Sequence, residues 1–319
     1  MTEFDIIKNY FATQVEHRSD VIYGIGDDAA IVLVPPGHEL VITTDTLING
    51  VHFPESTLPY DIGYKSLAVN LSDLAAMGAT PAWVTMALTL PFADENWIQE
   101  FCDGFFTLAN RHQVQLIGGD LTHGPLSITI QALGFIPSGY ALLRSQAKPG
   151  DLIYVTGTLG DAGLALKCLQ NNIQLDASYL RLLLARLNHP EPRIATGKAL
   201  LDFAHAAIDI SDGLAADLGH ILEASHVGAR IFVDQLPLSN ELQHSLSPEK
   251  AIALALTAGD DYELCFTVPA EKRIELEEIL STMPCRFTCI GEIITPLGLD
   301  LRYTTGGKYN GSIHGYEHF

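Results

Sequence analysis

Val69-Asn70-Leu71-Ser72-Asp73-Leu74-Ala75-Ala76-Met77-Gly78-Ala79 is the stretch on which the reading of the fold turns. It closes a helical pattern that runs from Asp61 to Met77 and is stopped by Gly78 and Pro81. It also carries one of four short acidic motifs, the others being Gly26-Asp27-Asp28, Thr43-Thr44-Asp45 and Gly118-Gly119-Asp120. Each is expected where an apolar segment ends in a turn or a helix begins. A fifth, Asp209-Ile210-Ser211-Asp212-Gly213, lies in the second half. Carboxylates that folding gathers repel one another, and hard cations among them relieve that repulsion. The pattern therefore points to chemistry on phosphates.

Glu39 to Thr44 reads as a β-branched strand delivering Asp45 at its end. Phe4, Ile7, Phe11 and Val15 recur at helical spacing. A strand from Trp83 to Leu90 and a helix from Glu95 to Arg111 follow the central helix. Strands Val114 to Ile117 and Leu126 to Phe135 are expected to flank a Gly118-Gly119-Asp120 turn. Ser145 to Gly150 has linker composition, so the expected domains are 1–145 and 146–319. The second half opens on strand Leu152 to Thr156. It continues with helices near Asp161–Leu169, Tyr179–Leu187, Arg193–Phe203, Leu214–Ala224 and Glu271–Leu280, and strands at Arg230–Val233 and Tyr262–Val268. Strands and helices alternate without strict βαβ order. The expected class is therefore α/β (α+β) with mixed sheets rather than a Rossmann sheet.

The chain has 319 residues, which suits two domains, and 47% are hydrophobic, which excludes disorder as the general state. A formal net charge of −20 disfavours nucleic acid and anionic membrane surfaces as partners. It leaves an anionic substrate open, because bound metal inverts the local field. Met1-Thr2-Glu3-Phe4-Asp5 lacks a signal peptide's basic start and apolar run, and no stretch is apolar and long enough to span a bilayer. The five cysteines show no Cys-x-x-Cys spacing, so reduced thiols in a cytoplasmic protein are expected.

Each acidic motif has an ordinary reading beside the chemical one. Asp27, Asp28, Asp45, Asp73 and Asp120 each suit a helix cap or turn, but capping does not explain why several stand beside Gly or Thr at segment ends. Magnesium takes oxygen ligands from a few carboxylates, phosphates and water, and the Thr43 and Thr44 oxygens could join them. Gly24-Ile25-Gly26-Asp27-Asp28-Ala29 satisfies a dinucleotide-binding pattern in form only, since its two aspartates would repel a pyrophosphate. No Walker A sequence is present. Ser211 or Asp212 suits an N-cap, and the N–H groups there also suit a phosphate. Arg144 reads either as a surface ion-pair partner or as a phosphate contact. His314 and His318 have zinc-like spacing but no third soft ligand, so a metal is not expected there. Ser72, Ser211 and His52 form no triad that spacing supports.

At this point the motifs become recognisable. Residues 24–29, 43–53 and 69–79, with Leu116–Asp120, Ile208–Leu214 and Asp261–Phe266, resemble the thiamine-monophosphate kinases. The resemblance runs nearly end to end, to Gly315-Tyr316-Glu317-His318-Phe319. The Ser72–Ala79 stretch alone marks the wider PurM-like superfamily of aminoimidazole-ribonucleotide and selenophosphate synthetases. The resemblance implies a two-domain PurM-like fold whose N-terminal sheet pairs with its twin in a homodimer, with ATP between the domains. It implies ATP-dependent phosphorylation of thiamine monophosphate to thiamine diphosphate with several magnesium ions. By motif, Asp28, Thr43, Thr44, Asp45, Asp73, Asp120, Asp209 and Asp212 fall on magnesium positions. Gly119, Asp120, Arg144 and Ser211 fall on ATP positions, and His52, Asp260 and Tyr316 on substrate positions. The chain has Gly259-Asp260-Asp261 where relatives commonly have Gly-Glu-Asp, so Asp260 is one methylene shorter. A sister ATP-dependent synthetase, or a non-catalytic nucleotide- and magnesium-binding scaffold, is the alternative.

Overall fold

The computed structural model describes residues 2–13, 17–170 and 173–311. Its described residues form two compact units. One comprises Met1–Leu74 and Ala79–Tyr140, the other Ala75–Gly78 and the chain from Ala141 onward.

The first unit opens on helix α1 (Glu3–Ile6), closed at its start by a reciprocal Thr2–Asp5 capping box. A wider π-type turn, Ile7–Phe11, follows in place of the longer regular helix the spacing suggests, and it buries Phe11. Val15 lies outside the described residues. Two short antiparallel strands, β1 (Val21–Tyr23) and β2 (Ile31–Val32), precede the main sheet. That sheet contains β3 (His38–Ile48), β4 (Thr80–Leu90), β5 (Gln115–His123) and β6 (Ser127–Pro137), in the order β3-β6-β4-β5. All neighbours are antiparallel except β4 and β5. Helices α2 (Pro59–Ala76) and α3 (Glu95–Arg111) carry much of the unit's core, including Leu67, Leu71, Leu74, Phe101 and Phe105.

Two expected boundaries move. Strand β3 does not stop at Asp45 but continues to Ile48, paired with β6 along its whole length. Strand β5 runs through Gly118-Gly119-Asp120, where a turn was expected. Paired glycines are a turn signal in sequence, but here they allow close strand approach. At Gly119 (φ +154) a Cβ would collide with the carbonyl oxygen of Met86 on β4. The helix expected over Asp61–Met77 forms as α2 (Pro59–Ala76), with Asn70 to Asp73 inside it.

The second unit is built on a six-stranded mixed sheet. Its strands are β7 (Leu152–Thr156), β8 (Ala206–Asp209), β9 (Gly228–Phe232), β10 (Leu264–Val268), β11 (Phe287–Ile294) and β12 (Gly298–Arg302). They lie in the order β12-β9-β11-β7-β10-β8, with only the β9–β12 pair parallel. The unit also contains helices α4 (Asp161–Leu169), α5 (Ala177–Asn188), α6 (Ile194–Ala199), α7 (Leu214–Ser225), α8 (Asn240–Ser245), α9 (Pro248–Thr257) and α10 (Arg273–Ser281). One core joins Ile153, Val155 and Ile208 of the sheet to Leu218 and Ile221 of α7 and Ile252 and Leu256 of α9. A second joins Leu164, Leu183, Leu187, Leu242 and Leu254 among the helices. Of these elements, β8, α8, α9, β11 and β12 are not among those expected from the sequence. A bulge at Cys289–Gly291 breaks the alternation of β11.

The five cysteines are free thiols, and burial pushes those of Cys102 and Cys265 well above the ordinary range. Among the described residues no helix is long and apolar enough to cross a membrane.

Candidate functional site

The pleat of β3 divides its residues between two faces. Val41, Thr43, Asp45 and Leu47 point one way, in register with the buried Ala132, Ile130 and Ile128 of β6; Ile42, Thr44, Thr46 and Ile48 point the other. Helix α2 presents Asn70 and Asp73, one turn apart, to Thr43 and Asp45. The Asn70 amide is fully buried. It donates from Nδ2 to the Ser66 carbonyl and accepts the Asp45 N–H on Oδ1, each at 3.1 Å. The Thr43 hydroxyl donates to the Asp73 carboxylate. Burial and then the Asp73 charge push the Asp45 carboxyl up to about 6. This set offers two carboxylates and a hydroxyl, all hard oxygen donors, and it fits a divalent cation such as magnesium. Among the described residues no three His, Cys, Asp or Glu side chains gather into a metal site of their own. His52 follows β3 and accepts the Ile48 N–H on Nδ1 at 3.0 Å, which leaves its proton on Nε2.

Other expected members lie elsewhere in the unit. Thr44 faces away from Asp45, and its hydroxyl accepts from Gln131 Nε2 at 3.4 Å. Asp120 shares that outer face, in the row Thr46–Thr129–Ala87–Asp120. It is on the opposite edge strand from Asp45, three strand spacings or about 14 Å away. Asp28 is exposed in the connection between β1 and β2, where its N–H meets Asp27 Oδ1 at 2.9 Å. The Gly24–Ala29 pattern therefore opens no helix, consistent with its rejection as a dinucleotide motif.

In the second unit β8 delivers the buried Asp209 opposite Leu264 of β10. The expected N-cap role of Ser211 or Asp212 is not what folds. Gly213 is the N-cap residue of α7, and no side chain caps it. Instead Asp217, from the first turn, places Oδ2 against the N–H groups of Ser211, Asp212 and Gly213 at 3.0, 3.0 and 3.1 Å. Those donors were read as a phosphate cradle; the chain's own carboxylate fills it. Burial pushes the Asp217 carboxyl up to about 7, while the three donors favour its charged form. The sequence reading missed Asp217 and Asn70. The signals available for them were an acid four residues past the glycine and an amide one turn before Asp73.

Alongside this loop runs the segment carrying Asp260. Asp260 N–H donates to the Ser211 carbonyl at 2.9 Å, and Tyr262 N–H to that of Ile210 at 2.8 Å. The buried Asp261 carboxyl accepts the Gly160 N–H at 2.8 Å, and burial raises it well above the usual range. Arg144 is exposed in the short turn Arg144–Gln146, its carbonyl taking the Ser225 hydroxyl at 2.7 Å. Tyr316, His314 and His318 lie outside the described residues.

Comparison with known proteins agrees with this architecture. The family AIR synthase related protein, N-terminal domain, matches residues 26–136, and its C-terminal domain counterpart matches residues 148–303. The class is thus the two-domain AIR synthase related proteins. Within it, a thiamine-monophosphate kinase of Escherichia coli K12 is 50% identical over 99% of this chain and 98% of its own. The crystal structure of thiamine-monophosphate kinase from Stenotrophomonas maltophilia K279a superposes with a TM-score of 0.89 at 46% identity, covering 97% of this chain and 98% of that one. AaThiL complexed with AMPPCP and TMP gives a TM-score of 0.78 at 32% identity, covering 90% and 89%. The chain belongs to the thiamine-monophosphate kinase family.

Proposed function

We propose that the protein transfers the γ-phosphoryl group of ATP directly to thiamine monophosphate, forming thiamine diphosphate. The observation that carries this reading is the Asp45 carboxyl, raised by burial and by the neighbouring Asp73 charge beside Thr43, in a chain half identical to thiamine-monophosphate kinases over its length. The AMPPCP and TMP of the related complex supply the two substrate classes.

The acceptor is a phosphate monoester, largely ionised near neutral pH, so no strong general base is needed. The difficulty is to bring two polyanions together in line. Magnesium ions, when bound, supply the positive charge that offsets this repulsion. Asp28, Thr43, Thr44, Asp45, Asp73, Asp120, Asp209 and Asp212 are the proposed ligands. Gly119, Asp120, Arg144 and Ser211 are proposed to hold ATP. For thiamine monophosphate the proposed contacts are His52, Asp260 and Tyr316, with Asp260 or the Tyr316 ring meeting the thiazolium cation. Domains 1–145 and 146–319 and a cytoplasmic homodimer complete the reading. The dimer is supported by the outer face of the first sheet, where Leu40, Ile42 and Ile48 are 40%, 54% and 42% exposed.

Incubation with ATP, magnesium and thiamine monophosphate is the test, with chromatography for thiamine diphosphate. Product that requires the metal is expected, with inversion at a chirally labelled γ-phosphorus. ATP binding without product would favour a sister synthetase or a scaffold, and retention at phosphorus would replace direct transfer with a phosphoenzyme.

A further inference from the structure

We infer that Glu263 is a positioning residue, whose anchored side chain sets Asp260 and the Asp209–Gly213 loop in place. The inference rests on the assignment of those residues to the substrate, nucleotide and metal sites.

Glu263 is 3% exposed and held from several directions. Its Oε2 accepts Arg193 Nε and the Thr156 hydroxyl, both at 2.6 Å, and its Oε1 accepts Arg193 Nη2 at 2.5 Å. Arg193 directly precedes α6, and Thr156 is the last residue of β7. The Thr156 oxygen also accepts the Leu264 N–H at 2.8 Å, which ties the same knot to β10. Gly157, at φ +60, leaves room for the carboxylate, since a Cβ there would overlap it. A buried ion pair of this kind is weak support for stability on its own, because desolvation offsets its attraction. Fixing one geometry is the use that remains.

The geometry fixed is that of two loops. The Glu263 carbonyl accepts the Ile210 N–H at 2.8 Å, and the Tyr262 and Asp260 N–H groups bond back to Ile210 and Ser211. This seam sets the 209–213 loop against the 258–262 segment. It also holds Asp260 and Tyr262 at φ +69 and +48, a region that non-glycine residues adopt only when their surroundings impose it. The other non-glycine residues of positive φ among those described, Gln113 and His226, lie at helix ends, where that conformation is ordinary. Asp260 and Tyr262 have no such reason. Their conformation follows from the seam and from the Glu263 anchor, one residue beyond Tyr262 and three beyond Asp260.

The test is Glu263→Gln, read in two ways. Residue-resolved amide exchange is expected to rise about tenfold at Ile210, Asp260 and Tyr262, with the β7–β10 ladder amides unchanged. The KM for thiamine monophosphate is expected to rise about tenfold, with kcat falling less than about threefold. Arg186→Gln, a half-exposed guanidinium 3.9 Å from Glu263, is expected to change neither. If Glu263→Gln does not melt cooperatively, Thr156→Val carries the test, since it removes one anchor and leaves the ion pair. Wild-type exchange at the three seam amides, or an unchanged KM in a folded variant, overturns the inference. Wild-type protein that makes no thiamine diphosphate overturns the functional reading instead, and the exchange result still decides whether Glu263 anchors the seam.

Discussion

In the first unit Asp45 lies beside Asp73, and the two causes acting on its carboxyl, burial and a like charge, both push it up. In the second unit Asp217 is more deeply buried and also feels the Asp212 charge, so its carboxyl rises further, to about 7, but three backbone N–H groups converge on one of its oxygens. Glu263 nearby has the bidentate Arg193. The difference separates two uses of buried acid. Where donors from the chain converge on a carboxylate, the acid belongs to the architecture. Where burial and repulsion act on a carboxyl with no donor against them, as at Asp45, the fold holds a group that a cation from outside the chain would complete.

The largest effect should come from removing one charge of the Asp45–Asp73 pair. Asp73→Asn keeps the shape and an oxygen for Thr43 but removes a charge that a cation needs. Turnover is expected to fall at least about 100-fold, with a wild-type circular dichroism spectrum and cooperative melting. A folded Asp73→Asn enzyme with near-normal turnover would place both acids on the architectural side of the comparison.

How far the sequence reveals this contrast depends on the scale of the interactions. The mixed sheets and helix α3 at Glu95–Arg111 were legible because periodicity and capping are local. The Asp45–Asp73 contact was legible only as a pair of motifs, since it needs the pleat of β3 and the turn of α2 to face each other. The separation of Asp120 from Asp45 was not legible. It depends on strand order and on a face assignment that one residue of register reverses. Glycine carries the same ambiguity: Gly118-Gly119 was read as a turn and proves to be a close approach between strands. The phosphate cradle at Ser211–Gly213 looked open because its occupant, Asp217, comes from the following helical turn.

A smaller effect sharpens the comparison through stability. The Asp45 carboxyl is raised from its ordinary 3.8 to about 6 in the fold. Its contribution to stability is therefore fully present below pH 3.8 and is lost as pH rises through about 6. Asp45→Asn escapes that loss. In the absence of divalent ions the variant is expected to be more stable than wild type by about 1–3 kcal/mol near pH 8, the gain disappearing below about pH 4. Magnesium should then raise the wild-type melting temperature more than that of the variant. Equal melting curves at both pH values would mean that Asp45 carries no such burden, and a destabilised variant would mean that the acid holds the fold together.

The smallest expected effect concerns the acid on the other side of the comparison. If Asp217 serves as an acceptor for three N–H groups, an amide oxygen in the same place serves nearly as well. Asp217→Asn should then be at least as stable as wild type near pH 7, since it also escapes the cost of a buried charge, whereas Asp217→Ala, which leaves those donors without their acceptor, should be about 2 kcal/mol or more less stable than the Asn variant. Urea unfolding of the two variants side by side separates hydrogen bonding from charge. Should Asn prove as damaging as Ala, the negative charge of Asp217 would itself be required. The buried acids of the second unit would then differ from those of the first in degree and not in kind.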